Sequence, residues 1–187
     1  RLVGDQGYRA ALNLYFDRHD GQACTIEDWI AVFQDATGRD LTQFKRWYTD
    51  AGTPRLTLSE EWADGRLTLN FRQETAPTPG QPDKPARVIP IAIGLIGPNG
   101  DEVLPTTVLE MSEPAQSFSF DGLGARPVVS LLRGFSAPVT VSRDLCATEQ
   151  ALLLAHDTDP YARWQAGHDL ALDGLIARAS GQDGGEE

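Results

Sequence analysis

Large apolar residues Tyr8, Leu12, Tyr15 and Phe16 recur at steps of three and four, which is the spacing of one helix face. Gly21 closes that pattern, and Thr25 stands three residues before Asp28, an arrangement suited to a capping box. The spacing of Ile26, Ile30 and Phe33 then predicts a second helix, stopped by Gly38. Asp40 is placed to cap a third, carrying Leu41, Phe44, Trp47 and Tyr48 until Gly52 and Pro54 interrupt it. The first fifty residues therefore read as helical.

Beyond Pro54 the period drops from about 3.6 to 2. Leu56 and Leu58, then Leu67, Leu69 and Phe71, alternate with polar neighbours on either side of Asp64-Gly65, a hairpin signal. The segment "APTPGQPDKPAR" has four prolines and no apolar run, and predicts an exposed extended loop. Short β-rich runs follow at Val88–Ile96, Glu102–Leu104, Thr107–Met111, Ser117–Phe120, Val128–Leu132 and Val139–Val141. Pro90 argues that the first of these is an edge strand or starts late. Seven or eight strands in roughly ninety residues suit an antiparallel immunoglobulin-like sandwich, with a small barrel as the other closure.

Helical spacing returns after Arg143, with Leu145, Leu152, Leu153 and Leu154 in one segment and Trp164, His168, Leu172, Leu175 and Ile176 in another. Asp159-Pro160 suits the start of the second, because a helix needs no N–H at its first position. The terminal "SGQDGGEE" reads as a frayed polar tail. The predicted fold class is mixed and mainly β: an Ig-like sandwich flanked by N- and C-terminal helices.

Charge and composition narrow the function. A net charge of −11 disfavours a nucleic-acid surface, which needs clustered Lys and Arg, and no apolar run is long enough to cross a bilayer. Cys24 and Cys146 lie far apart, outside any C-x-x-C spacing, so neither a disulfide framework nor a thiolate zinc site is indicated. The chain opens on Arg1 rather than methionine and enters an amphipathic pattern at once, as expected of a piece cut from something longer.

Candidate chemistry gathers in "LYFDRHDGQACTIEDW". His19 and Asp20 are the types of a base and its orienting carboxylate, and Cys24 that of a nucleophile. At a helix end before glycine, however, His and Asp more often satisfy the turn, and Cys24 reads as a small buried hydrophobe. His156-Asp157 and His168-Asp169 lack the i, i+4 histidines of a helical zinc motif, and His168, on the apolar stripe, reads as a core histidine. Trp29, Trp47, Trp62 and Trp164 each sit in such stripes and read as core, not as stacking platforms. No phosphate loop, dinucleotide fingerprint, nucleophile elbow or calcium loop is present.

Three stretches in order carry a resemblance. "YRAALNLYFDRHDGQACTIEDWIAVFQDATGRDLTQFKRWYTDAGTP", "APTPGQPDKPARVIPIAIGLIGPNGDEVLP" and "LLRGFSAPVTVSRDLCATEQALLLAHDTDPYARWQAGHDLAL" together resemble part of the M1-family zinc aminopeptidases of bacteria. That resemblance implies that residues 1–51 are terminal helices of a thermolysin-like catalytic domain, 52–143 an Ig-like sandwich domain, and 144–187 the first helices of a helical solenoid. It places the zinc ligands and catalytic groups outside this chain, so no position here takes a catalytic, cofactor-binding or metal role. Zinc belongs to the parent enzyme, as do its peptide substrates; the partners of this chain would be the remaining catalytic and C-terminal domains. No nucleic-acid or membrane partner is expected, and a cytoplasmic location accords with the resemblance. A freestanding sandwich that binds a partner through its edge strands or proline loop is the competing reading, and a small hydrolase built on His19, Asp20 and Cys24 the third.

Overall fold

The structure is a computed structural model and describes residues 1–181; the "SGQDGGEE" expectation falls on 180–187 and so lies almost wholly outside the described residues. Its elements run α1 (Gly4–His19), α2 (Ile26–Thr37), α3 (Arg46–Thr49), β1 (Arg55–Ala63), β2 (Arg66–Glu74), β3 (Ile89–Ile96), β4 (Glu102–Met111), β5 (Ala115–Phe120), β6 (Val128–Leu131), β7 (Thr140–Arg143), α4 (Ala147–His156) and α5 (Pro160–Ala179). The strands form two facing sheets, ordered β5-β2-β1-β7 and β4-β3-β6. Every pairing is antiparallel except β1 with β7, which runs parallel over Arg55–Leu58.

The local signals act where the sequence puts them. Asp64 and Gly65 both adopt positive φ, +50° and +73°, and join Ala63 to Arg66 in a two-residue turn whose twist matches the flanking strands. Thr25 Oγ1 accepts from the Asp28 N–H while an Asp28 carboxylate oxygen accepts from the Thr25 N–H, so two otherwise orphaned donors at the start of α2 are satisfied. Asp159 likewise caps α5, whose first residue is Pro160.

Alternation then builds the core. Leu56, Leu58, Leu67, Leu69 and Phe71 face inward from one sheet and meet Ile89, Ile91, Ile93 and Leu95 from the other. All eight residues of β3 are buried, because β3 is the central strand of its sheet and is covered on both faces. Smaller clusters hold the flanks: Ala11, Ile30, Val32, Phe33 and Leu41 in the N-terminal helices, and Ile96, Val128, Leu153 and Ala166 where α4 and α5 meet the sandwich.

Several expectations are corrected. The third helix shrinks to four residues: Asp40 does accept from the Thr42 N–H, but residues 42–45 form turns. The Gln43 side chain is recruited by carbonyls of the sandwich, whereas Lys45 pairs with Glu27 of α2. Glu102–Leu104 and Thr107–Met111 are one strand, β4, since Pro105 lies within a ladder it does not have to serve on both sides. Pro90 sits in a central strand, not an edge or a late start. The Ala92 N–H donates to Ser136 Oγ on the side away from β4, and the two-residue period places the position of Pro90's missing N–H on that same side, beyond the end of β6.

The proline loop is also less free than its composition suggests. Thr78 and Gln81 form an isolated bridge, Lys84 Nζ donates to Ala51 O at 3.0 Å, and Arg87 is 3% exposed. The backbone carbonyls at 50–52 accept from Lys84 and Arg87, so the end of this loop is tied to the chain entering β1.

Candidate functional site

The candidate catalytic groups do not converge. His19 ends α1 with its ring 5.5 Å from that of Tyr15, Asp20 caps the helix through its backbone N–H to Phe16 O, and the Cys24 thiol donates to Gln22 O at 3.6 Å. Among the described residues no hydrogen bond joins His19 to Asp20 or Cys24. Cys24 is half-buried rather than a core hydrophobe. Hydrogen bonding to Cys24 raises the Tyr15 phenol above its ordinary value, and the Thr25 N–H and hydroxyl hold Asp28 below its own; both shifts belong to a helix corner, not to an acid–base pair.

The other two His-Asp pairs divide. His156 packs its ring on the turn at Gly100, where a side-chain carbon would meet its Nδ1 at 2.5 Å, while Asp157 turns inward. His168 is half exposed, 3.3 Å from Asp169 and stacked beside Trp164, which is itself 57% exposed. The expectation that His168 and Trp164 are core is therefore wrong, because among the described residues no other element covers their face of α5. Trp29, Trp47 and Trp62 are partly buried and pack against the clusters described above. Among the described residues no three His, Cys, Asp or Glu side chains assemble a donor set for a metal ion, so a zinc ion does not fit here.

What the structure does assemble is a pair of polar junctions, one at each end of the sandwich. At the N-terminal junction, Gln43 Nε2 donates to Ser112 O at 2.7 Å and Ala86 O at 3.1 Å, Arg46 Nη1 to Ala86 O at 2.6 Å, and Trp47 Nε1 to Val88 O at 2.8 Å. In return the Arg87 guanidinium donates to Asp50 O and Gly52 O, at 2.8 and 3.0 Å, and lies 5.1 Å from the centre of the Trp47 ring. Gln73 bonds the backbone of Arg87 in both directions, which fixes that residue's main chain from behind. The short α3 segment is thus shaped by carbonyls of the sandwich.

At the C-terminal junction a single cation dominates. Arg133 is 1% exposed and donates to Ser130 Oγ at 2.8 Å, Thr106 Oγ1 at 3.1 Å, Glu102 at 2.5 Å and Asp157 at 2.9 Å. Its guanidinium lies over Gly94, where a Cβ would come within 2.0 Å of the Arg133 Cζ, and the β3–β4 register shifts at that residue. Thr158 donates to the same Glu102 carboxylate at 2.7 Å. Hydrogen bonds from Arg133 and then Thr158 hold Glu102 below the usual carboxylate range.

Arg126 makes a second, more open link at the start of α4, to Glu149 at 2.5 Å and to Glu60 at 3.1 Å. Burial pushes the Glu60 carboxyl up despite Arg126 and Arg143 nearby, whereas Arg126 and the Cys146 N–H bring Glu149 down against its own partial burial. Two cavities accompany the junctions: one of about 320 Å³ lined by Val3, Tyr8, Phe33 and Phe44, and one of about 390 Å³ lined by Arg143, Gln150, Asp169 and Asp173.

Neither Arg133 nor Arg87 was marked by any catalytic pattern. The available signal was a lone arginine set in an apolar run, "VVSLLRGFSAPV", where an unpaired cation would be costly.

A family model described as a domain of unknown function, DUF3458, with an Ig-like fold matches residues 52–144. Over 96% of its length the chain is 44% identical to aminopeptidase N of Caulobacter vibrioides, and over 90% it is 34% identical to aminopeptidase N of Escherichia coli. Aminopeptidase N of Haemophilus influenzae is 37% identical over 90% of the chain. The chain spans only about a fifth of each of these relatives, 21%, 20% and 20%. Among solved structures, Legionella pneumophila aminopeptidase A in complex with aspartic acid superposes on 90% of the chain with a TM-score of 0.81 and 31% identity; 19% of that chain is covered.

Proposed function

Residues 52–144 belong to the DUF3458 family of Ig-like domains, and from that membership and the aminopeptidase N alignments we infer that the chain is a non-catalytic spacer of a zinc aminopeptidase. The reaction of the whole protein would be hydrolysis of the N-terminal residue of a peptide, with the metal polarising the carbonyl and activating water on residues outside this chain. The sandwich would hold the catalytic part and a helical part at a fixed separation and so shape the space that admits peptides. Its direct partners would be those two parts of the same polypeptide. No described helix is long and apolar enough to cross a membrane, and a cytoplasmic location accords with the reading.

One observation carries it: the sandwich core is closed, but the outer faces of the flanking helices are apolar and open. Tyr8 and Phe16 are 48% and 54% exposed on α1, and Trp164, Leu175 and Ile176 are 57%, 63% and 56% exposed on α5. A freestanding module would cover such faces or replace them with polar side chains, since contiguous apolar surface marks a place where something else packs.

The purified chain, assayed with aminoacyl fluorogenic substrates with and without added zinc, is expected to give no turnover. Mixed with an aminopeptidase N polypeptide from which the aligned stretch has been removed, it is expected to bind and to restore hydrolysis. Turnover by the chain alone, lost on Cys24→Ala, would instead establish the small-hydrolase reading.

A further inference from the structure

We propose that Arg133 is a positioning residue: the clasp that sets the angle of the α4–α5 hairpin on the sandwich, over the cavity beneath it. For its use this rests on the spacer reading, since an angle matters only if something is mounted on α5. The geometry itself is independent of that reading.

The hairpin has little apolar hold on the sandwich. Leu153 and Ala166 reach Ile96 and Val128, with Leu145 and Leu152 partly buried beside them. Under α5 lies the cavity of about 390 Å³, lined on the helix side by Gln165, Asp169 and Asp173 and on the sandwich side by Val139 and Arg143. Close-packed surfaces resist sliding, and this one is not close-packed.

Besides the more open Arg126–Glu149 link at the start of α4, orientation is imposed in the connection between α4 and α5. Asp157 has no exposed side-chain surface and pairs with Arg133, Thr158 shares Glu102 with it, and Asp159 accepts from the Gly134 N–H at 3.1 Å while capping α5 through the Ala162 N–H at 2.9 Å. Three consecutive residues of the connection thus answer to the Arg133-Gly134 step. The sandwich side is equally committed. Leu132, Gly134 and Phe135 all adopt positive φ, +54°, +59° and +49°, which is unfavourable at the two non-glycine positions and holds only where the surroundings dictate it. Gly94 has no side chain, leaving the groove in which the guanidinium lies. The fork of Arg133 engages β4 and the connection together, so moving the hairpin requires breaking a buried ion pair.

The buried Asp157 Oδ2, which has no hydrogen-bond partner among the described residues, points the same way. The carboxylate is held through Oδ1 alone, by Arg133 and by the Asp159 N–H at 2.9 Å, so removing the arginine leaves it only a contact within its own connection.

Pulsed electron spin resonance distances test this. In a background with Cys24→Ser and Cys146→Ser, spin labels are attached through Glu74→Cys on the sandwich and Ala171→Cys on α5. A single narrow distribution is expected. Arg133→Met should broaden and shift it while the sandwich stays folded, and Asp157→Asn, which keeps the shape and leaves the arginine, should shift it less in the same direction. An unchanged distribution in either folded variant overturns the proposal, as does loss of the sandwich fold itself, which would make Arg133 a core stabiliser. Neither outcome depends on whether the chain serves an aminopeptidase, which the complementation experiment decides separately.

Discussion

Arg133 and Asp157 meet at 2.9 Å with 1% and 0% of their side chains exposed, joining the sandwich to the helical hairpin through a pair that water does not reach. Breaking one partner of such a pair strands the other charge, at a cost of about 3–5 kcal/mol. Arg133→Ala should therefore lower the urea concentration at which the helical signal is lost by an amount corresponding to that figure. Gly94→Ala should act through the same contact, because its new methyl would lie on the guanidinium. The two substitutions together should cost markedly less than their sum, a coupling that a double-mutant cycle reads directly.

Arg126 offers the contrast. Its side chain is 44% exposed against partners that are 12% and 17% exposed, so water reaches the guanidinium side of both pairs and each contributes at most about 1 kcal/mol. Arg126→Ala is expected to shift the unfolding midpoint only slightly, and that shift should shrink further in high salt.

Glu60 should behave against the intuition attached to salt bridges. Burial raises its folded pKa above the ordinary 4.5. The folded state therefore holds its proton to higher pH than the unfolded state does. The resulting contribution is intact below 4.5 and is lost as pH rises from there through the folded pKa. Glu60→Gln should leave stability near neutral pH equal to or above that of the parent and flatten its decline above pH 4.5. A thermal-melt series from pH 4 to pH 8 checks both.

The corner between α1 and α2 depends on a cap rather than on a reaction. Thr25→Ala removes the hydroxyl that accepts from the Asp28 N–H and should cost about 1 kcal/mol. Thr25 also holds the Asp28 pKa down, so that carboxylate's contribution is present above the ordinary value of 3.8 and is lost as pH falls through the lower folded pKa. The variant should lose less on acidification than the parent does, as a pH series of denaturant melts will read.

The outward face of α5 provides a test of assembly. Trp164→Ser with Leu175→Gln should change the isolated chain's melting little, since both side chains are more than half exposed. The same pair should weaken binding to an aminopeptidase N polypeptide lacking this stretch, measured by titration calorimetry.

Short-range physics determined most of the fold. The Asp64-Gly65 turn, the Thr25 cap, the Asp159-Pro160 helix start and the alternation in β1 and β2 are each specified within a few residues, so they could be read from the sequence directly. Where non-local partners intervene, local pattern misled. Segment 42–45 has helical spacing but forms turns from which Gln43 reaches carbonyls at 86 and 112, and His168 and Trp164 lie on an apolar stripe half exposed among the described residues. The junctions were decided by tertiary structure alone. Arg133 finds Glu102 and Asp157 at sequence separations of 31 and 24 residues, and no periodicity encodes a pairing between a loop, a strand end and a helix connection. An arginine in an apolar run announces only that it must be paired; which acids pair with it, and which two bodies they thereby join, depends on the chain having already folded.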